Sequence, residues 1–214
     1  MTRRLAMLMF ALLAPVAVTG AALAAEAVPG PAPQELIDTT SRKLLEALDA
    51  DRELAKKDPA RVRKLVDEIL LPNFDSDYSA RLVLGKHWRT ATPEQQKRFI
   101  AAFYQSLLRN YGSALAEFTA DRMTVLPFRG DLASGQAVVR TEVKRSNGQR
   151  VPVNYTLRGT PEGWKAWDVT IEGISYVRNF RNDVGAEVDQ KGLPAVIERL
   201  ESENKNGTPK PPAP

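Results

Sequence analysis

A chain of 214 residues, 43% apolar and 26% charged, is long enough to bury a substantial core in one domain. Its 30 basic residues, Arg3 and Arg4 among them, are nearly balanced by 26 acidic ones, which argues against a nucleic-acid footprint. With no cysteine and one histidine it has no disulfide framework and no thiolate metal site, so stability rests on packing.

Residues 1–24 read as an export signal. Arg3 and Arg4 supply the cationic start, Leu5–Leu23 is almost wholly apolar, and Ala22-Leu23-Ala24 offers the small-x-small cleavage pattern. Cleavage is expected just after Ala24 or Ala25. Pro15 and Gly20 interrupt the run and no basic stop-transfer segment follows, which disfavours a membrane anchor. The expectation is a soluble protein in the periplasm, a compartment without ATP or reduced nicotinamide pools. Residues 25–33 form a Pro-rich linker, and 202–214 a polar tail without apolar periodicity.

Between them lies one domain, helical over 34–118, stranded over 121–172 and helical again over 174–201. Leu36, Ile37, Thr40, Leu44 and Leu48 share one face of a first helix. Asp58-Pro59 supplies a cap and a first-turn proline for a second, whose stripe is Val62, Leu65, Val66, Ile69 and Leu70. A short helix from Ser76 sets Tyr78 and Leu82 one turn apart and stops at Gly85. Thr92-Pro93-Glu94-Gln95 is a capping box. The helix it opens runs to about Glu117, with Ile100, Phe103, Tyr104, Leu107, Leu108, Tyr111 and Leu115 along one stripe roughly 35 Å long.

The period then changes. Asp121–Phe128, Gln136–Arg145, Arg150–Arg158 and Trp164–Glu172 read as four antiparallel strands, with Asn147-Gly148 as a two-residue hairpin turn. Ala137, Val139, Thr141 and Val143, then Val151, Val153, Tyr155 and Leu157, then Trp167, Val169 and Ile171 share the apolar face. Ile174, Val177, Phe180, Val184 and Val188 fit a helix, and Leu193, Val196, Ile197 and Leu200 a shorter one. The fold class is α+β: a curved four-stranded antiparallel sheet wrapped by N- and C-terminal helices. Such a cone often encloses a cavity, and the patterning leaves open whether it is hollow.

Catalytic patterns are sparse. His87 belongs to no metal-ligand spacing, Ser113 and Ser134 to no nucleophile elbow, and no Gly-rich phosphate loop occurs. Asp168, on the polar face of the last strand, is the candidate base should the cone house an enzyme. The expectation is a binder, not an enzyme.

Two segments carry a resemblance. Phe74-Asp75-x-x-Tyr78-x-Ala80-Arg81-x-x-Leu84-Gly85-x-x-Trp88, followed by Ala91–Gln95 and Phe99-x-x-x-Phe103, is similar to the MlaC or toluene-tolerance family of periplasmic phospholipid carriers. Trp167-Asp168-Val169, Glu172–Ser175, Arg178, Phe180-Arg181 and Gly192-Leu193-Pro194 also resemble it. Val184 departs from the aromatic residue usual there. The resemblance implies a cystatin/NTF2-like sheet and a deep apolar pocket for acyl chains, with phospholipid as bound ligand and no other cofactor. It further implies a monomer shuttling lipid between an outer-membrane lipoprotein–porin complex and an inner-membrane ABC transporter complex, maintaining outer-membrane asymmetry. The alternatives are a cone-fold enzyme using Asp168 or His87 on an apolar substrate, and an adaptor with a filled interior.

Each buried methylene is worth about 0.8 kcal/mol, so two sixteen-carbon chains represent about 25 kcal/mol of gross transfer free energy. The long helix exceeds the roughly 15 Å hydrocarbon depth of one leaflet. Candidate acyl-chain residues are Tyr78, Leu82, Ile100, Phe103, Tyr104, Leu107 and Tyr111 from helices, and Val139, Val143, Val153, Tyr155, Trp167, Val169 and Ile171 from strands. Arg81 and Arg178 are the headgroup candidates, at a surface expected to select little between headgroups.

Overall fold

The computed structural model describes residues 28–50, 53, 57–116, 122–145 and 147–206. The export signal lies outside the described residues. Helix α1 (Pro33–Asp49) begins on a proline whose fixed φ suits a first turn, and buries Leu36, Ile37, Thr40, Leu44, Leu45 and Leu48. Helix α2 (Pro59–Ile69) is capped by Asp58, whose carboxylate accepts the Ala60 N–H at 2.9 Å. Helix α3 (Ser76–Leu84) is capped by Asp75 and stopped by Gly85 at φ +53. The capping box of α4 (Pro93–Ala116) closes reciprocally: Gln95 N–H donates to Thr92 Oγ1 and Thr92 N–H to Gln95 Oε1.

Strands β1 (Met123–Val125), β2 (Gln136–Lys144), β3 (Arg150–Thr160), β4 (Gly163–Ile171) and β5 (Ile174–Ser175) form one antiparallel sheet in chain order. Helices α5 (Tyr176–Lys191) and α6 (Leu193–Asn206) complete the chain. The sheet thus has five strands where the sequence indicates four. Glu172 and Gly173, at φ 50 and 85, turn the chain back so that Ile174 pairs with Ile171 instead of opening a helix. Strand β1 is shorter than expected. Leu126 still donates to Arg140 O, but Pro127 has no N–H to continue the ladder.

Three further differences have local causes. The β2–β3 connection is not a two-residue turn: Arg145 N–H pairs with Gln149 O, and Gly148, at φ 85, donates to Arg145 O. That is the three-residue hairpin with a left-handed glycine. A bulge shifts the β3–β4 register between Thr156 and Leu157, so Trp164 and Ala166 join the α1-facing side while Trp167 packs among helices. Helix α6 continues to Asn206, into the segment read as a tail, because Asn204 Nδ2 donates to Ala102 O and Glu203 accepts from Arg109 and Arg199.

Helix α4 packs on α2, α3 and α6, whereas the sheet packs on α1, α3 and α5. The described apolar core accordingly falls into four clusters. One joins α3, α4, α5 and α6 around Phe99, Phe103, Val184 and Ile197. A second joins α1, α2 and α4 around Leu48 and Leu108. A third packs α1 on Ala137, Val139, Leu157, Trp164 and Ala166. The fourth is Val143, Val151 and Val153, flanked by Val169 and Ile171. Half-buried Met123 links the last three clusters, and Tyr155 links the last two.

Candidate functional site

The site is built where α3 starts against the edge of β4. Phe74 forms a parallel bridge with Ala166, and Asp75 N–H donates to Ala166 O at 2.7 Å. One oxygen of the Asp75 carboxylate accepts the Tyr78 N–H at 3.0 Å. The other accepts from Arg158 Nε at 2.7 Å and lies 2.6 Å from Arg158 Nη2. This holds the guanidinium 4.4 Å from the centre of the Tyr78 ring, a cation–π contact. Tyr78 in turn meets Trp167 edge-on at 5.5 Å, and Ser79 Oγ hydrogen-bonds the Trp167 carbonyl at 2.5 Å.

Beside this latch lies an open groove of about 610 Å³. Its apolar floor includes Leu71, Phe74, Ile100, Ala101 and Tyr104, and its rim Asp75, Asp77, Arg158, Glu162 and Lys165. Ile100 flanks the α3–α6 cluster, Tyr104 the α1–α2 cluster and Phe74 the sheet cluster. Residues at the margins of three clusters therefore line one groove. Tyr104 donates its hydroxyl to Asp67 Oδ1 at 2.8 Å, and burial together with that carboxylate raises its pKa.

The candidate acyl-chain residues are divided by the fold. Phe103, fully buried against Phe99 and Phe180, sits in the helical cluster with half-buried Leu82, Ile100, Leu107 and Trp167 at its margin. Val139 is packed under α1, while Val143 and Val153 sit in the strand cluster beside Val169 and Ile171. Tyr78 belongs to the Arg158 latch, and the side chain of Tyr111 lies outside the described residues. Tyr155 combines two properties. It keeps accessible surface, yet burial pushes its phenol up to about 12, against a smaller opposing hydrogen bond with Ser41.

A family model described as "MlaC protein" matches residues 38–202. The chain belongs to the MlaC family. It is 34% identical over 161 residues to the toluene tolerance protein ttg2D of Pseudomonas putida, covering 75% of this chain and 74% of that one. Identity is 24% over 174 residues to the intermembrane phospholipid transport system binding protein MlaC of Haemophilus influenzae, covering 79% and 80%. A phospholipid-binding protein from Ralstonia solanacearum, solved in complex with a phospholipid, superposes with a TM-score of 0.75 at 28% identity. That match covers 81% of this chain and 97% of the Ralstonia chain.

The residues shared with the MlaC motifs act largely as scaffold. Asp168 is buried and occupied: Ser175 Oγ donates to one oxygen at 2.6 Å and Val177 N–H to the other at 3.0 Å, fixing the start of α5. His87 faces Asp189 at 3.3 Å. Val177 and Asp189 are twelve residues apart on α5, roughly 18 Å, so Asp168 and His87 do not converge. Among the described residues no cluster of His, Cys, Asp or Glu has a metal-site arrangement. Arg81 and Arg178 are both exposed on the neighbouring helices α3 and α5, away from the groove lining. Sequence reasoning missed Arg158. Its signal was a cation on the polar face of β3, indistinguishable there from a solvated one.

Proposed function

We propose that this MlaC-family chain is a periplasmic phospholipid carrier. It shields acyl chains between the α4 stripe and the α1-facing side of the sheet, and exchanges them with an inner-membrane ABC transporter complex and an outer-membrane lipoprotein–porin complex. By this traffic it maintains outer-membrane asymmetry. The observation that carries the reading is the Ralstonia protein, whose fold matches over 81% of this chain and which was solved holding a phospholipid. The Haemophilus relative, a binding protein of an intermembrane phospholipid transport system, supports the transport role.

Physical features of this chain point the same way. A small domain usually has one contiguous core with satellites, whereas here the described core falls into four clusters, three of them joined through half-buried Met123 and Tyr155. Ile100, Leu107, Tyr155, Val169 and Ile171 are only partly buried, which leaves apolar surface for a guest to cover. Among the described residues no helix is long and apolar enough to cross a membrane.

Native mass spectrometry of gently purified protein tests the reading. The expected result is a mass increment of one or more diacyl phospholipids, recoverable by solvent extraction. Protein that stays lipid-free after incubation with phospholipid vesicles would sink it.

A further inference from the structure

The groove at the foot of α3 has a charge pattern suited to one headgroup class. Two cations, Arg158 and Lys165, face three carboxylates, Asp75, Asp77 and Glu162, above an apolar floor that reaches Ile100 and Tyr104. Asp75 is consumed internally, since one oxygen takes the Tyr78 N–H and the other takes Arg158. It therefore orients Arg158 through Nε and Nη2, which uses two of the five guanidinium N–H groups. Lys165 lies 3.0 Å from Glu162, whose side chain is 72% exposed, and such a pair in water is weak enough to exchange partners. Asp77 is exposed on the first turn of α3. With each cation matched by one acid, Asp77 leaves the rim with a formal charge of minus one.

We infer that this groove is the headgroup seat and favours a zwitterionic, ethanolamine-type headgroup over an anionic, glycerol-type one. The inference rests on the phospholipid-carrier reading. Phosphate matches Arg158 and Lys165, while the adjacent ammonium matches Asp77 and Glu162. A glycerol headgroup brings phosphate without a compensating cation and meets a net negative rim. Ile100, Tyr104 and Phe74 in the groove floor each flank a different apolar cluster, so acyl chains attached to a headgroup seated here meet apolar surface at once. This differs from a seat at Arg81 and Arg178, which lie outside the groove.

The test loads the purified mature protein from vesicles of equimolar phosphatidylethanolamine and phosphatidylglycerol, then quantifies extracted lipid by mass spectrometry. Ethanolamine lipid should be enriched roughly two- to five-fold, the range supported by solvent-exposed charge pairs, and less so in high salt. Asp77→Lys makes the rim net positive and should reverse the preference. Glu162→Lys should do the same, and guards against a folding defect in either variant. Arg81→Glu and Arg178→Glu should leave the ratio unmoved. Bound lipid that mirrors the vesicle composition in the wild type, or a ratio that responds to Arg81 and Arg178 but not to Asp77 and Glu162, overturns the groove assignment while the carrier reading stands. Absence of bound lipid in the wild type overturns both.

Discussion

Asp75 carries two structural roles on one carboxylate: it caps α3 through the Tyr78 N–H and anchors Arg158. The first is worth about 1 kcal/mol, and the second adds a charge-assisted bond at a partly exposed site. Asp75→Ala should therefore cost about 2–3 kcal/mol in urea unfolding, whereas Asp75→Asn keeps an oxygen for the cap and should cost about 1 kcal/mol. Equal losses for the two would show that the α3 cap contributes nothing, and a loss-free Asp75→Asn that the Arg158 contact contributes nothing. Val139 and Val169 make a second contrast. Val139 is 1% exposed beneath α1, so Val139→Trp overfills a packed layer at about 1–3 kcal/mol. Val169 is half-buried at the margin of the strand cluster. Val169→Trp should cost less stability and yet reduce co-purified lipid several-fold. If lipid loading survives Val169→Trp but not Val139→Trp, the guest lies under α1 instead.

At the scale of elements, local signals were readable wherever a cap or a period was strong. Asp58, Asp75 and the Thr92–Gln95 box cap helices as their residue types dictate, and the alternation on β2 and β3 gives the observed inward face. What escaped reading depends on partners distant in sequence. The bulge that turns Trp167 toward the helices is a mismatch between two strands, invisible in either alone. The bridge from Phe74 to Ala166 and the continuation of α6 through Asn204 likewise depend on contacts between residues 92 and 102 positions apart. The site follows the same division. Its apolar residues were legible as stripes, but which cluster each one joins depends on how the helices pack against the sheet and one another. The β4–β5 turn gives a prediction that belongs here. Gly173 sits at φ 85, so Gly173→Ala should cost about 1–2 kcal/mol in thermal unfolding. Glu172, at φ 50, is already strained, and Glu172→Asn should be neutral or slightly stabilising. Stability unaffected by Gly173→Ala would mean that β5 is not held as a hairpin.

Across the whole molecule, a divided apolar core shifts part of the work of holding helices together onto charge networks at their seams. Arg199 reaches Glu187 on α5 through bonds of 2.7–3.0 Å and Glu203 on its own helix at 2.8 Å. Glu203 also meets Arg109 of α4 at 3.0 Å, and the Arg109 side chain is only 6% exposed. The network spans three helices whose packing forms one wall of the interior. Burial alone would raise the Glu187 carboxyl, but hydrogen bonds and charge from Arg199, then Lys191, outweigh it and hold the carboxyl below its ordinary value of 4.5. A carboxylate depressed in the folded state binds fewer protons there than in the unfolded chain. Its contribution is therefore complete above pH 4.5 and lost as pH falls through the lower folded value. Glu187→Gln should lower stability by about 1 kcal/mol at pH 7, between the values for exposed and buried pairs. The same variant should also lose less stability than the wild type on acidification. Urea midpoints at pH 7 and pH 3, compared between the two proteins, measure both effects. Parallel acid losses would place the titrating group elsewhere, and would imply that the α5–α6 seam is held by its apolar contacts alone.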